Sequence, residues 1–323
     1  MILLIGFLLL AYVAYQLYQH FNPAPNVDPK GKYVLISGCD TGFGNGLAIE
    51  LDKQGYNVLA GVYSPDSVTT LTSQLSTKAT VFQLDITKKE SIESAYELVA
   101  AKTKTLHALV NNAGVSTGGH VDWITTESMR RIMDINFFGH VDMTKTFLPL
   151  LIARRGSRVI NICSIAGFIS PPSGSAYCAS KYALESFSDC LRREMFSWGL
   201  HVSIIEPGIM RTAIVQKHTQ AVRDVFTQWS PGAKERWGEE YCKSYLKKMA
   251  ENPLLRNAED PIKVVRALEH AVSSTVPCIR YKPGWQSKFV YYPLSLLPAW
   301  LADMYFVKTR VLDVAPVGMK NQF

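Results

Sequence analysis

Charged side chains are missing from the first part of the chain, and paired cysteines are missing from all of it. No Asp, Glu, Lys or Arg occurs between Ile2 and Val27, although the 323 residues carry a formal net charge of +7 at pH 7. The six cysteines are scattered, and no two of them have the Cys-x-x-Cys spacing typical of a metal site. The sequence therefore predicts no metal centre, and it predicts buried, reduced thiols.

The uncharged N-terminus has the composition of a membrane anchor. Residues 2–17 are almost wholly apolar, and residues 18–22 extend this run towards the roughly 20 residues that cross a bilayer. A cleaved signal peptide would have a basic segment before the apolar run and small residues at a cleavage site, and neither is evident. We predict an uncleaved anchor over residues 1–22 and a stiff, proline-containing spacer over residues 23–31.

Two further absences bear on which side of the membrane the remaining chain lies. No Lys or Arg precedes the apolar run, whereas Lys30 and Lys32 follow it, and positive charge tends to stay on the cytosolic side. The chain also has no Asn-x-Ser/Thr sequon, which fits a domain that is not glycosylated. We therefore expect the domain that follows the anchor to lie on the cytosolic side of the membrane.

After the spacer, the chain has no internal repeat, low-complexity tract or Gly/Ser-rich linker that would divide it. Short β-branched, apolar runs alternate with stretches of helical period, and the runs lie near residues 33, 57, 80, 107, 159, 201 and 277. This alternation predicts a single α/β domain over residues 32–323. Its expected fold is a doubly wound, Rossmann-type parallel sheet with helices on both faces.

The positive charge does not form a nucleic-acid site, because no basic stripe is interleaved with stacking aromatic residues. Dispersed Lys and Arg residues suit an anionic bilayer surface instead. A hydrophobic segment at about residues 285–306 contains Pro293 and Pro298, so we expect an interfacial membrane contact there rather than a span. Two other uses of this segment are equally open, as part of the wall of a binding pocket or as a homodimer contact.

A glycine-rich turn joins the apolar run Tyr33–Ser37 to a stretch of helical period that includes Leu47 and Leu51. Glycines permit a tight turn and close backbone approach, and the helix start offers N–H groups to a pyrophosphate. A plain strand–helix turn is the alternative. The residues predicted to bind the dinucleotide are Gly38, Asp40, Thr41, Gly42, Phe43 and Gly44.

Tyr177 and Lys181 lie four residues apart, so on a helix they share one face. The ammonium can stabilise a phenolate and lower its pKa from about 10 towards neutrality. A phenol tuned in this way is a general acid/base for a carbonyl or an alcohol. An isolated pair is more often a solvated helix face, so the prediction depends on the surrounding motifs.

Those motifs follow other predicted strands. The sequence Asn-Asn-Ala-Gly occupies residues 111–114, Ser164 lies thirteen residues before Tyr177, and Pro207-Gly208 follows a further apolar run. With Asn136, this order resembles the short-chain dehydrogenase/reductase family from about residue 32 to residue 212. The glycine turn looks like that of the retinol dehydrogenase and hydroxysteroid dehydrogenase branch. Members of that branch lie on either face of the endoplasmic reticulum, so we expect a membrane-anchored protein of that organelle.

The resemblance implies a role for each motif. Tyr177 would be the general acid/base, Lys181 would lower its pKa and hold the nicotinamide ribose, and Ser164 would bind the substrate oxygen. Asn136 would hold the water that links Lys181 to solvent, although a buried polar bridge is the alternative. Asp85 would contact the adenine or, alternatively, cap the next helix. The other implied cofactor-binding residues are Asn112, Ala113, Gly114, Tyr177, Lys181, Pro207, Gly208 and Thr212.

The choice of cofactor follows from charge near the second predicted strand. NADP needs a cation near its 2′-phosphate, yet no Lys or Arg follows residues 57–64, and Thr41 is uncharged. Asp40 would repel a phosphate. The acidic residue usual at the end of the second strand is also missing, so Asp40 would have to serve instead. We expect NAD rather than NADP.

The stretch that covers the substrate cleft in the family, residues 209–250 here, is rich in apolar and aromatic residues. We expect a lipophilic secondary alcohol or ketone, a hydroxysteroid first, with retinol oxidation to retinaldehyde as the alternative. Some of these side chains must also pack the covering helices onto the domain. A non-catalytic, lipid-associated protein that retains the fold is less favoured, because Ser164, Tyr177 and Lys181 are all present.

Overall fold

A computed structural model describes residues 24–212, 229–310 and 314–320, with isolated positions between 6 and 22. All seven predicted strand regions form strands of one sheet. In chain order these are β1 (Tyr33–Ser37), β2 (Asn57–Val62), β3 (Thr80–Gln83), β4 (Ala108–Asn111), β5 (Arg158–Ile162), β6 (His201–Ile205) and β7 (Arg280–Tyr281). Their spatial order is β3-β2-β1-β4-β5-β6-β7, and each neighbouring pair is parallel. The expected parallel sheet is confirmed.

Helices occupy most of the connections between these strands. The described helices are α1 (Gly42–Lys53), α2 (Pro65–Thr72), α3 (Lys89–Lys102), α4 (Thr126–Met133), α5 (Gly139–Ile152), α6 (Ser175–Glu194), α7 (Pro231–Trp237), α8 (Glu239–Glu251), α9 (Pro253–Arg256), α10 (Ile262–Ser273), α11 (Tyr292–Ser295), α12 (Ala299–Arg310) and α13 (Val317–Lys320). A π-helical turn, Asp134–Phe138, joins α4 directly to α5, and a second one, Ser287–Tyr291, leads into α11. Short 3-10 turns lie at Ile165–Gly167 and Phe196–Trp198.

Successive residues of a strand enter two hydrophobic layers. In β1, Val34 and Ile36 pack in the layer that contains α1 and α10, whereas Leu35 packs in the layer that contains α3 and α5. All three side chains are fully buried. Burial on both faces is the reason that β1 appears in the sequence as a continuous apolar run rather than an alternating one.

The strand order changes direction between β1 and β4, and the predicted motifs lie beside that point. β2 and β3 lie to one side of β1, and β4 to β7 lie to the other. In open parallel sheets, ligands bind at the carboxyl ends of the strands next to such a switch point. The Gly38 turn, the Asn112 loop, Ser164 and Pro207 follow the carboxyl ends of β1, β4, β5 and β6 respectively.

Most of the predicted N-terminal anchor, residues 1–22, lies outside the described residues, as do all of residues 213–228 of the covering segment. Within the part of the chain that the structure describes, no helix combines the length and the apolar character needed to cross a membrane. The end of the spacer is tied to the domain: Val27 N donates to Ser273 O at 2.7 Å, and Thr275 N donates to Pro25 O at 3.0 Å.

Candidate active site

The glycine turn after β1 lies against the loop that follows β4. Gly38 has a φ of +71°, and a Cβ placed on it would lie 2.7 Å from the Cα of Ala113. A glycine satisfies both the left-handed backbone and the close approach, which any side chain would obstruct. The two predicted cofactor-binding segments are therefore in direct contact at the switch point.

Ser37 and Asn112 join these two strand ends by hydrogen bonds. Ser37 Oγ accepts from the backbone N–H groups of Asn112 at 3.1 Å and Ala113 at 3.2 Å. Asn112 Nδ2 donates to the carbonyl oxygens of Ser37 and Gly38, both at 2.9 Å. Ser37 is fully buried, and its role was not predicted. A hydroxyl at the end of an otherwise apolar buried run was the signal that could have found it.

The beginning of α1 has the features that a pyrophosphate requires. α1 begins at Gly42, and the preceding Thr41 makes no side-chain hydrogen bond that would cap its first N–H groups. A Cβ on Gly44 would overlap the side-chain amide of Asn112, so the first turn of the helix lies directly on the loop after β4. Uncapped N–H groups and the positive end of the helix dipole favour a phosphate at this position. These residues fit a dinucleotide cofactor.

Asp40 lies at the end of β2, although it comes from the turn after β1. Its Oδ2 accepts from Tyr63 N and its Oδ1 accepts from Ser64 N, each at 2.9 Å. Asp40 and Asp66 line a cavity of about 350 Å³ beside the start of α1, and the described residues around it include no Lys or Arg. This arrangement has the negative charge expected beside an NAD ribose and none of the cations that bind a 2′-phosphate.

Tyr177 and Ser164 are brought together by different elements and share a side-chain hydrogen bond. Ser164 follows β5, and Tyr177 lies in the first turn of α6. Burial raises the pKa of Tyr177 to about 12, and the hydrogen bond with Ser164 acts in the opposite direction. Ser164 Oγ also accepts from Ala166 N at 3.2 Å. The serine therefore caps the turn that follows it and also contacts the phenol.

Lys181 lies one turn of α6 after Tyr177 and is buried. Its Nζ donates to Ile162 O at 2.7 Å and lies 5.8 Å from the centre of the Tyr177 ring. Burial lowers the pKa of Lys181, whereas Cys163 and Glu185 act to raise it. The expected pairing is present, but the expected lowering of the Tyr177 pKa is wrong for this structure. Desolvation of the phenolate outweighs the influences that would stabilise it.

Asn136 is fully buried in the π-helical turn between α4 and α5. Its Oδ1 accepts from Val115 N at 2.9 Å, while its Nδ2 donates to Val115 O at 2.9 Å and to Ser180 Oγ at 3.1 Å. Both amide hydrogens are used, so the side chain forms the buried polar bridge that the sequence left as an alternative. The role of Asn136 in a water relay stays a prediction.

The other predicted cofactor-binding residues lie near the same edge of the sheet. Asp85 Oδ1 accepts from Thr87 N at 2.9 Å and from Thr87 Oγ1 at 2.7 Å, and Lys88 rather than Asp85 precedes α3. The helix-cap alternative for Asp85 is therefore wrong. Pro207 O accepts from Ile165 N at 3.0 Å, which ties the end of β6 to the turn after Ser164. Contacts of Asp85, Pro207, Gly208 and Thr212 with a cofactor stay predictions.

Aromatic residues of the covering segment pack largely on one another. Trp229 and Tyr245 are buried in a cluster with Trp123, which comes from the loop after β4. The ring centres of Trp123 and Trp229 are 4.5 Å apart, and His120 stacks on Trp123 at 4.0 Å. Part of the apolar surface expected to line the substrate cleft therefore holds α7 and α8 on the domain.

A buried polar network lies beneath the edge of the sheet that carries Tyr177, and the sequence motifs did not predict it. Asn111 Nδ2 donates to Asn161 Oδ1 at 2.8 Å and to Thr144 Oγ1 at 3.0 Å. His140 Nε2 pairs with Ala113 O at 2.7 Å. Burial, aided by Lys181, lowers the pKa of His140 to about 3, so its ring is neutral. The two asparagines within apolar runs were the available signal.

Comparison with known proteins agrees with this geometry. The sequence matches the short chain dehydrogenase family over residues 32–223. The chain belongs to the short-chain dehydrogenase family. Retinol dehydrogenase 16 of Rattus norvegicus is 40% identical over 286 residues, which cover 86% of this chain and 88% of that protein. The 17-beta-hydroxysteroid dehydrogenase type 6 of Bos taurus is 38% identical over 284 residues, with coverage of 86% and 88%.

Solved structures of more distant short-chain dehydrogenases share the fold. One from Burkholderia phymatum, in complex with NAD, has a TM-score of 0.68 at 18% identity and covers 86% of this chain and 96% of its own. One from Burkholderia cenocepacia, in complex with NADP, has a TM-score of 0.65 at 21% identity, with coverage of 86% and 98%. This short-chain dehydrogenase is an NAD(P)-dependent alcohol dehydrogenase, and its resemblance to the retinol and hydroxysteroid branch is confirmed.

Proposed function

We propose that this short-chain dehydrogenase transfers hydride between NAD and a lipophilic secondary alcohol or ketone, with Tyr177 as the general acid/base. The observation that carries the proposal is the phenol of Tyr177, hydrogen-bonded to Ser164 with Lys181 buried one turn along α6. A proton donor, a second hydroxyl and a cation at one strand edge are the groups that carbonyl reduction or alcohol oxidation needs.

Tyr177, Ser164 and Lys181 would each have a separate role in this reaction. The nicotinamide, when bound, supplies or accepts the hydride. In the reductive direction, Tyr177 Oη gives its proton to the substrate oxygen, and Ser164 Oγ–H donates a hydrogen bond that stabilises the charge developing there. In the oxidative direction, the phenolate takes the hydroxyl proton. Lys181 Nζ supplies the positive charge that favours this phenolate.

The upward shift of the Tyr177 pKa affects which direction of the reaction this structure favours. A pKa raised to about 12 keeps the phenol protonated at neutral pH, ready to act as an acid towards a carbonyl. Oxidation of an alcohol needs the opposite form. The Lys181 charge must then act more strongly than it does in this structure, where its ammonium donates to Ile162 O.

The relatives support a lipophilic substrate and give two candidates. Seventeen-beta-hydroxysteroid dehydrogenase type 6 is named for a steroid, and retinol dehydrogenase 16 for a retinoid, at nearly equal identity to this chain. We retain the hydroxysteroid as the first candidate and retinol as the second, because both present a hydroxyl on a large apolar body. The apolar residues of the covering segment are consistent with either.

Charge around the adenosine end supports NAD as the preferred cofactor. Asp40 and Asp66 both line the cavity beside α1, so a 2′-phosphate there would face two carboxylates. The proposal would fail on this point if the purified protein used NADP with the higher kcat/KM.

We also propose that the protein works at a membrane, with residues 1–22 as the anchor and the endoplasmic reticulum as the site. The segment at 285–306 supports a second contact with the bilayer, because Phe289, Leu296 and Trp300 are exposed although they are large and apolar. Lys288 Nζ lies 5.4 Å from the centre of the Phe289 ring, so a basic group accompanies the apolar surface. A homodimer contact remains the rival use of this surface.

The experiment is a turnover assay of the purified full chain with NAD and NADP against hydroxysteroids, their ketones, retinol and retinaldehyde. We expect NADH formation or consumption with at least one member. Tyr177→Phe should lower kcat by roughly 10²- to 10⁴-fold, as expected for loss of a general acid/base, while cofactor binding persists.

Tyr182→Phe is the matched control, because Tyr182 lies on the same helix but is 42% exposed. It should retain normal turnover. Cofactor binding without turnover of any panel member would contradict the proposal and favour a non-catalytic, lipid-associated role.

A further inference from the structure

A cavity of about 240 Å³ opens at the amino ends of the strands, the opposite edge of the sheet from Tyr177. Four successive neighbours in the sheet contribute to it, because Lys32 precedes β1, His107 precedes β4, Arg158 begins β5 and His201 begins β6. The basic residues of its lining are Lys32, His107, Arg154, Arg155, Arg158 and His201. The described residues that line it include no Asp or Glu.

Arg158 is the deepest of these cations. It is 2% exposed, and its Nη1 donates to the carbonyl oxygens of Val272 at 2.6 Å and Ser274 at 2.9 Å. Its Nη2 donates to Gly156 O at 2.9 Å. Its Nε has no hydrogen-bond partner, and no described carboxylate forms an ion pair with it. A buried guanidinium held only by carbonyl groups lacks the counter-charge that such a group normally has.

The neighbouring cations add to this excess of positive charge. Burial lowers the pKa of Lys32, and Arg154 and Arg158 lower it further by repulsion, while Asp28 acts in the opposite direction from outside the cavity lining. Arg154 and Arg155 are exposed at the rim. Four permanent or nearly permanent cations therefore face one cavity, and their mutual repulsion would be relieved by a bound anion.

We propose that this cavity binds the phosphate group of a phosphate-bearing anion. Guanidinium groups bind phosphate oxygens with two parallel hydrogen bonds, and two such groups with a lysine can neutralise a dianion. The volume lies below that of typical pockets for drug-sized ligands, so it suits a phosphate head group rather than a whole coenzyme. The site is separate from the glycine turn, which lies at the opposite edge of the sheet.

The phosphate has two sources, a membrane lipid and a soluble phosphate ester. Val27 lines the cavity, and the segment before it is hydrogen-bonded to Thr275, so the chain arrives at this site directly from the N-terminal segment. An N-terminus embedded in a bilayer would bring lipid phosphates close to the cavity. Both sources present the same chemistry to Lys32, Arg154 and Arg155.

The test compares the full-length protein with a Lys32→Gln/Arg154→Gln variant, in which Arg158 is kept because its replacement threatens folding. Lys88→Gln/Lys89→Gln is the matched control, since it removes the same charge from exposed positions after β3, at the other edge of the sheet. Calorimetric titration with inorganic phosphate and with glycerol 3-phosphate, at constant ionic strength, measures the soluble source. Flotation with phosphatidylcholine vesicles, with and without phosphatidic acid, measures the lipid source.

We expect the cavity variant to bind phosphate or phosphatidic acid vesicles roughly a hundredfold more weakly, about tenfold for each lost charged hydrogen bond, and the control to bind normally. Binding of soluble phosphate identifies a soluble ligand, and binding of phosphatidic acid vesicles alone identifies a lipid head group. Equal binding by all three proteins, or no binding by any of them, would overturn the proposal. Far-UV circular dichroism and melting curves verify that the variants fold.

Discussion

Replacing Gly38 by alanine tests whether close backbone contact holds the ends of β1 and β4 together. The alanine would have to keep a φ of +71°, which costs an L-residue about 1–2 kcal/mol. Its Cβ would also lie 2.7 Å from Ala113 Cα and 3.0 Å from Ala113 N, which are backbone atoms. Relief of such overpacking by a backbone shift costs about 1–3 kcal/mol. We therefore expect the free energy of unfolding to fall by about 2–5 kcal/mol.

Gly31→Ala is the matched control for this substitution. Gly31 has a φ of +70°, but a Cβ there would have no atom within 4 Å, so its replacement carries the conformational cost alone, about 1–2 kcal/mol. Urea denaturation of both variants without cofactor measures the difference. Gly38→Ala should also weaken cofactor binding, because the shift would move the start of α1, whereas Gly31→Ala should not. Equal losses of stability in the two variants would refute the close-contact argument.

Three other substitutions test separate parts of the molecule. Ser37→Ala removes the acceptor of the Asn112 and Ala113 N–H groups, so urea denaturation should show a loss of about 1–3 kcal/mol in the free energy of unfolding; an unchanged stability would show that these hydrogen bonds do not hold the ends of β1 and β4 together. Asp40→Asn removes a negative charge from the cavity beside the start of α1, where we propose that the adenosine end of the cofactor binds, and the NADP-to-NAD ratio of kcat/KM should rise roughly tenfold; a constant ratio would show that Asp40 does not select the cofactor. Burial, reinforced by Glu206, raises the pKa of Glu185 from 4.5 to about 7 against the opposing effect of Arg280. Folding therefore favours the protonated acid, and the stability from this group is complete below pH 4.5 and lost as the pH rises through about 7. Relative to the Glu185→Gln variant, the free energy of unfolding of the wild type should fall by about 3 kcal/mol across this pH window. If the stabilities of the two proteins changed with pH in parallel, the raised pKa of Glu185 would be contradicted.

Five of the seven strands, β1, β2, β4, β5 and β6, were predictable because nearly all of their residues are buried. β1 has apolar residues that enter both hydrophobic layers, so its boundaries follow from a continuous run in the sequence. β7 was less accurately placed: the apolar run near residue 277 precedes a strand that covers only Arg280–Tyr281. An edge strand of two residues has too little pattern of its own, and its pairing with β6 decides where it lies.

The spacing of the candidate active-site residues allowed their proximity to be predicted, but the sequence did not predict how burial and charge would shift the pKa values of Tyr177 and Lys181. The spacing of Tyr177 and Lys181 predicts that they share a face of α6, and this follows from helix geometry alone. The sign of the Tyr177 pKa shift depends on how completely the surrounding loops remove water, which no spacing reveals. Asn136 shows the same limit, because its partner Val115 lies in a loop whose course the sequence does not determine.

The sequence did not predict the cationic cavity, for a related reason. Lys32, Arg154 and Arg158 are far apart in the sequence, where they appear as part of a dispersed positive charge. They converge because the amino ends of β1, β4 and β5 are adjacent in the sheet. Parallel topology thus brings positive charges together at one edge of the sheet, just as it brings the motifs of the candidate active site together at the other.

The same topology allows Asp40, from the turn after β1, to place a carboxylate at the end of β2, where the sequence of β2 itself provides none. β1 and β2 are neighbours, so the turn after β1 can place a carboxylate at the end of β2, where it accepts hydrogen bonds from the N–H groups of Tyr63 and Ser64. Each carboxylate oxygen keeps a second lone pair for a further donor, such as a ribose hydroxyl. The lack of an acidic residue at the end of β2 therefore does not by itself favour NADP. We expect the preference to depend on the charge present in that space, and Asp40 places a carboxylate there from the turn after the neighbouring strand.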